Sequence, residues 1–320
     1  MQLQDTTDTT TLSYWLHWRV FLCAVLVLLP IVIALWIIWK REGYRHLTPE
    51  KGENQQDRNR IFRSDDTWKP CLKDIHPICL LVFRVLAFSL LLASLVAKIL
   101  SNGVVMFFYY TQWTFTLVTI YFGCASMLSV YGCYQFQNSS SSTFNFSFAG
   151  TDAEQGSSTP LLNQEATNEN RVISVWSYIV QVIFQMSAGA VMLTDAVYWC
   201  VIFPFLTIKD YNMSFMTVNM HTLNLLLLLG DAALNCLRIP WFRISFFVLY
   251  TGVFVIFQWI LHAFIPIWWP YPFLDLSSHS APLWYFVMAL MHIPCYGLFL
   301  LIVEMKHYLL SRWFPSSQQC

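Results

Sequence analysis

Apolar residues along this 320-residue chain fall in long unbroken blocks. They show neither the two-residue alternation of strands nor the three-or-four spacing of a half-buried surface helix. Val20–Trp39 holds no charged residue, and Asp, Glu, Lys and Arg are also missing from 99–151, 172–194, 211–230, 244–274 and 276–303. About 20 such residues wound as a helix match the hydrocarbon thickness of a bilayer. The pattern predicts an all-α, polytopic membrane helix bundle with seven spans, at about 20–39, 78–98, 107–131, 177–206, 215–236, 244–266 and 283–305. A membrane barrel would need ten-residue alternating segments, and none is present.

The few charges then set an expected orientation. Of 18 Lys and Arg, nine lie between the first two spans (Lys40, Arg41, Arg45, Lys51, Arg58, Arg60, Arg63, Lys69 and Lys73). Arg171, Arg238, Arg243, Lys306 and Arg312 fall on the same side, against Arg19, Lys98 and Lys209 on the other. Because basic loops stay cytoplasmic, the expected plan has an exoplasmic N-terminus at 1–19, a first span at 20–39 and a basic cytoplasmic loop at 40–77. A six-span core at 78–305 and a cytoplasmic tail at 306–320 follow. Within the core, 134–170 reads as a disordered cytoplasmic loop, being rich in Ser, Asn, Gly and Glu. The first apolar block is too long for a cleaved signal peptide, is preceded by little charge and runs straight into Lys40 and Arg41; it reads as a retained span. Asn138, Asn145 and Asn212 stand in Asn-x-Ser sequons, of which only Asn212 would face the glycosylation machinery.

Composition narrows the function classes. The formal net charge is zero, with no basic helix beside aromatic runs, so no nucleic-acid partner is expected; membrane lipids are. Nine Cys occur without a Cys-x-x-Cys and read as apolar fillers or acylation sites rather than a disulfide or zinc framework, so no metal or cofactor is expected.

Polar residues inside spans are costly and therefore informative. On the fifth predicted span Thr217, His221, Asn224, Asp231 and Asn235 share one stripe at 100° per residue. Gln181, Gln185 and Asp195 repeat this on the fourth, and Gln258 and His262 on the sixth. At ~1.5 Å per residue, Thr111 lies ~6 Å, His221 ~9 Å and His262 ~6 Å below the exoplasmic edge, in one layer. Arg84 and Asp231 share a layer at the other edge, where they can form an intramembrane ion pair. The plainer readings stay beside these: a Thr in a membrane helix ordinarily bonds its own i−4 carbonyl, and His292 next to Pro294 reads as a kink filler.

The segments YYTQWTFTLVTIYFG (109–123), MHTLN (220–224), LGDAALNCLRIPWFR (229–243), QWILHAFIPIWWPYPFLDLSS (258–278) and LMHIPCYG (290–297) resemble a family of plant transmembrane proteins. More distantly, residues 78–305 are similar to the animal Rolling stone proteins and to the androgen-induced and androgen-dependent tissue-factor-pathway-inhibitor-regulating proteins. The latter are six-span hydrolases of fatty acid esters of hydroxy fatty acids. That resemblance implies Thr111 as nucleophile and His221, in the triplet Met220-His221-Thr222, as base. It departs from the pattern at Val218 and Asn219, where the family has His and Gly, and in carrying an additional first span and a long third loop. A third group orienting the imidazole would be Asn224, Asp195 or His262. The expectation is a lipid-ester hydrolase of the endomembrane system or plasma membrane; the alternative is a transporter, receptor-like or scaffold protein that keeps the fold without the chemistry.

Overall fold

The computed structural model describes residues 9–43, 64–148, 160–206 and 215–319. Among the described residues it is all-helical, 83% helix with no strands, and six of the helices are long and apolar enough to cross a membrane. In chain order the helices are α1 (Leu12–Trp15), α2 (Trp18–Glu42), α3 (Pro77–Asn102), α4 (Tyr110–Phe148) and α5 (Pro160–Val197). Then come α6 (Phe215–Met220), α7 (Leu223–Leu234), α8 (Ile244–Phe264) and α9 (Ala281–Trp313). The six are α2, α3, α4, α5, α8 and α9.

Burial differs from that of a water-soluble bundle. Leu100, Phe264, Leu86, Phe21 and Met127 point outward, whereas Thr114, Ser129, Gln181, Gln185, Asn224, Asp231 and Asn235 are buried beside a core of Phe115, Phe122, Phe184, Phe299 and Leu91. Helices surrounded by lipid gain nothing by hiding Leu from it, so many large apolar side chains face the tails while polar ones turn inward. The chain is therefore a multi-pass integral membrane protein by its surface as well as by its composition.

Local chemistry fixes where helices begin and turn. Pro77 opens α3, and His76 caps it by accepting from the Ile78 N–H at 3.2 Å. Gly103, the positive-φ glycine (φ +64°), ends α3, and a short 3₁₀ turn, Gly103–Phe108, returns the chain into α4. α3 packs on α4, α4 on α5, and α2 lies across α8 and α9. Residues 134–148 continue α4 and 160–170 begin α5, so helix occupies much of the stretch read from sequence as a disordered loop; 149–159 lie outside the described residues. A membrane-anchored helix extends readily because its nucleation is already complete.

The largest departure is the fifth predicted span. It is not one helix across 215–236 but α6 and α7, separated by a turn at His221–Thr222. Only Val218–Leu234 of it is a continuous apolar stretch, shorter than the six long helices. Its two ends nevertheless sit at different depths along α3, with Asn219 donating to Ser94 Oγ at 3.3 Å and Asp231 paired with Arg84.

Two buried charge clusters tie the bundle together. Arg84, fully buried, donates to Asp231 from Nε at 2.7 Å and Nη2 at 3.2 Å. Its Nη1 reaches the Thr67 carbonyl at 2.6 Å and Ser129 Oγ at 2.8 Å. Tyr121 and Asn235 donate to the same carboxylate. Arg243, read from sequence only as a loop charge, is also fully buried. It donates to Glu42 at 3.0 Å, Gln185 at 3.0 Å and Gln181 at 3.3 Å, joining the end of α2 to α5 and the start of α8. Lys306 reaches back to the carbonyls of Ala232 (2.9 Å) and Asn235 (2.8 Å), where it satisfies the C-terminus of α7. At the opposite end, Thr9 donates to the His262 carbonyl at 2.8 Å and Arg19 to that of Ser277 at 2.7 Å, docking the segment before α2 and the first turn of α2 against the end of α8 and the α8–α9 connection.

Among the described residues Cys23, Cys71, Cys79, Cys124, Cys133, Cys200 and Cys295 are free thiols. Cys236 is the exception, being disulfide-bonded.

Candidate functional site

Thr111 sits in the first turn of α4, one residue after the helix begins. Thr116 and Thr119, further along, donate to the Gln112 and Phe115 carbonyls at 2.8 Å each, the usual use of a hydroxyl in a membrane helix. For Thr111 the carbonyl four residues back, that of Phe107, accepts from Trp113 Nε1 at 2.8 Å. Tyr271, from the α8–α9 connection, walls the same cavity as Thr111, close enough for the Thr111 hydroxyl and the Thr111 and Tyr110 backbone to act as donors toward its phenol. Burial pushes the Tyr271 phenol up to about 12, against the pull of those Thr111 and Tyr110 donors, so it stays protonated at neutral pH.

His221 owes its position to the break between α6 and α7. A continuous helix would have spent its carbonyl within the ladder; the turn releases it to accept from Trp199 Nε1 at 3.1 Å. Asn224 donates to the Met220 carbonyl at 3.2 Å and holds the other side of the break. Such irregular backbone is tolerated at membrane depth only where it is buried in protein or lines a cavity. Opposite it, α5 gives way to a π-helical stretch, Tyr198–Leu206, a form met frequently at functional sites. Tyr198 there stacks on the imidazole with ring centroids 3.7 Å apart and planes 7° from parallel. One turn before Tyr198, Asp195 brings Oδ1 to 3.7 Å from His221 Nδ1. Both Asp195 oxygens and His221 Nδ1 are buried and lack a hydrogen-bond partner. The separation is just beyond bonding distance, as catalytic contacts often are before substrate binds.

Thr111 and His221 line the same cavities. An outer one, of about 410 Å³, is bounded by Lys98, Asn102, Tyr109, Gln112 and Trp268 besides the pair. An inner one, of about 80 Å³, is walled by Leu193, Val197, Phe254, Phe273, Leu274 and Met288, again with Thr111, His221 and Tyr271. The pair thus stands at the junction of a polar vestibule and an apolar recess. A water needs roughly 10–15 Å³ on this measure, so either space admits several water-sized groups.

The other expected residues separate. His262 donates from Nδ1 to the Gln258 carbonyl at 2.7 Å and stacks on Trp269 at 3.6 Å, bounding neither cavity. Asn224 is committed to the helix break. Of the three groups left open for orienting the imidazole, Asp195 alone faces it. Arg84 and Asp231 meet each other, as a structural pair away from this cavity. Asn212 lies outside the described residues. His292 donates to the Met288 carbonyl of its own helix at 2.8 Å and packs against Phe247.

Tyr198 was not legible as a site residue, because nothing in the sequence marks a π turn. Among the described residues no cluster of His, Cys, Asp and Glu could hold a metal ion. No family model matches the chain, and no match is found among curated proteins or solved structures. Fold and site define a class, a multi-pass helical membrane protein with a Thr–His–Asp constellation at a cavity junction.

Proposed function

We propose that the protein is a membrane-embedded lipid-ester hydrolase in which Thr111 is the nucleophile, His221 the general base and Asp195 the group that orients the imidazole. The observation that carries this reading is the placing of Asp195 at 3.7 Å from His221 Nδ1, with His221 and Thr111 both on the wall of one cavity. With Nδ1 turned to the carboxylate, Nε2 on the other side of the ring is left for the cavity. There it takes the Thr111 proton as the oxygen attacks the ester carbonyl, and returns it to the departing alcohol. Water from the vestibule then hydrolyses the acyl-enzyme. Tyr271, protonated and beside Thr111, is a donor suited to the developing oxyanion.

Asp195→Asn is expected to lower kcat on the order of 10²- to 10⁴-fold while leaving KM nearly unchanged, because it removes the carboxylate that stabilises the imidazolium and keeps the side-chain volume. The measurement is fatty acid release from a long-chain ester by the purified protein; an unchanged kcat would remove Asp195 from the mechanism.

The reading adopts seven crossings, with the α6–α7 segment as the fifth, and places the Thr111 end outside the cytosol in the endomembrane system or plasma membrane. The excess of basic residues at the opposite end supports that orientation. The Cys236 disulfide pulls the other way, since a reducing cytosol would keep it open. Glycosidase treatment of the cell-expressed protein decides between them. A mobility shift lost in Asn212→Gln is expected, whereas a glycan on Asn138 or Asn145 would invert the topology.

A further inference from the structure

The inner cavity does not end at Met288. Thr251, Val255, Phe273, Leu274 and Met288 also wall a second cavity, of about 90 Å³, that runs on between α8 and α9 to Leu26, Val27 and Pro30 of α2. Along this line the lining is mostly apolar: Thr251 meets the Tyr110 hydroxyl at 2.9 Å, the Tyr285 hydroxyl donates to the Leu274 carbonyl at 3.0 Å, and His292, common to both recesses, spends Nδ1 on the Met288 carbonyl and keeps Nε2 buried without a partner among the described residues. Both recesses are narrow. Their volumes are about 80 and 90 Å³.

The far wall is one helix thick. α2 is embedded in the bundle along only a small part of its length: its apolar window is 11% buried, and Phe21, Leu28, Leu29 and Val32 face outward. It is held where the channel ends by a close approach: a Cβ added at Gly252 of α8 would come within 2.6 Å of Ile31. Pro30 lacks the N–H that would serve the Leu26 carbonyl, which loosens the ladder at the two α2 residues that bracket the recess.

We propose that the two recesses form one acyl-chain channel leading from Thr111, and that α2 closes it, so that the first helix sets the longest chain the site accepts. The occupant is the single fatty acyl chain of an ester whose carbonyl lies at Thr111. This rests on the hydrolase reading for the position of the carbonyl, but the channel itself is tested without turnover.

The full-length protein in nanodiscs is photolysed with a hexadecanoic acid bearing a terminal diazirine, and the labelled peptides are mapped. Labelling is expected on the channel-facing residues Leu26, Val27 and Pro30 and on the 285–289 turn of α9, equally in wild type and in Thr111→Ala. Unlabelled hexadecanoic acid should compete, and Ala289→Trp should weaken that competition at least about tenfold, the equivalent of roughly two buried methylenes. Octanoic acid should compete equally in both. Ala289→Leu, a milder filling of the same spot, guards against a misfolded Trp variant by giving a smaller change in the same direction. Labels confined to the outward residues Phe21, Leu28, Leu29 and Val32, or equal weakening of long and short chains, would overturn the channel. Channel labelling in a protein that hydrolyses no ester would overturn the enzyme reading and leave the channel standing.

Discussion

Asp231→Asn is expected to be the most destabilising single change in the core, costing ~3–5 kcal/mol. The substitution is nearly isosteric, so packing does not explain the loss. Arg84 is fully buried, and its charge is balanced by the carboxylate it grips through Nε and Nη2. Removing that charge strands the guanidinium in a medium where an unpaired ion costs several kcal/mol. Tyr121 and Asn235, which now donate to the carboxylate, would have to share an amide that offers one acceptor oxygen instead of two. Thermal unfolding in detergent, followed by size-exclusion fluorescence, should show a large fall in midpoint for Asp231→Asn and a comparable one for Arg84→Met. The double variant Arg84→Met with Asp231→Leu should recover part of it, because no stranded charge remains. A near-wild-type midpoint for Asp231→Asn would mean that the pair is idle.

The second large effect concerns chemistry rather than stability. On the proposed mechanism, His221→Ala should lower kcat by about 10³-fold or more, since an aliphatic hydroxyl is a poor nucleophile without a base beside it. The fall in unfolding midpoint should be smaller than for Asp231→Asn, because His221 lies in a turn and its ring borders two cavities, so that its removal costs the stack on Tyr198 but strands no ion pair like that of Arg84. His221→Gln, which keeps a polar group in the same space, should not restore the rate, whereas a packing role would be restored by it. Ester turnover by purified protein in micelles, read beside the melting curve, separates these.

How much of this was legible without coordinates differs by element. α2, α3, α8 and α9 stand out because lipid-facing helices must be apolar along their whole length. A helix of this kind cannot be mistaken for a strand or a loop. Depth counting put Thr111 and His221 in one layer, and they line one cavity; rise per residue is a property of any helix and needs no knowledge of neighbours. The wheel drawn through the fifth span fails at His221–Thr222, where no Pro or Gly announces the turn. Its cause is tertiary: Trp199 and Asn224 take up the carbonyls that the turn frees. Rotation about each helix axis is equally hidden, which is why Asp195, Asn224 and His262 could not be ranked. The burial of Arg243 was hidden for the same reason, since its partner Glu42 lies 201 residues away and nothing local marks the pairing.

The site's central claim is that Thr111 becomes acylated. Intact-protein mass spectrometry after brief exposure to an activated long-chain ester, such as a p-nitrophenyl ester, measures this directly. The account predicts one added acyl group on the wild type, mapped by peptide fragmentation to Thr111. The adduct should be absent in Thr111→Ala and strongly reduced in His221→Ala. An adduct on another residue, or one that forms equally in Thr111→Ala, would contradict it.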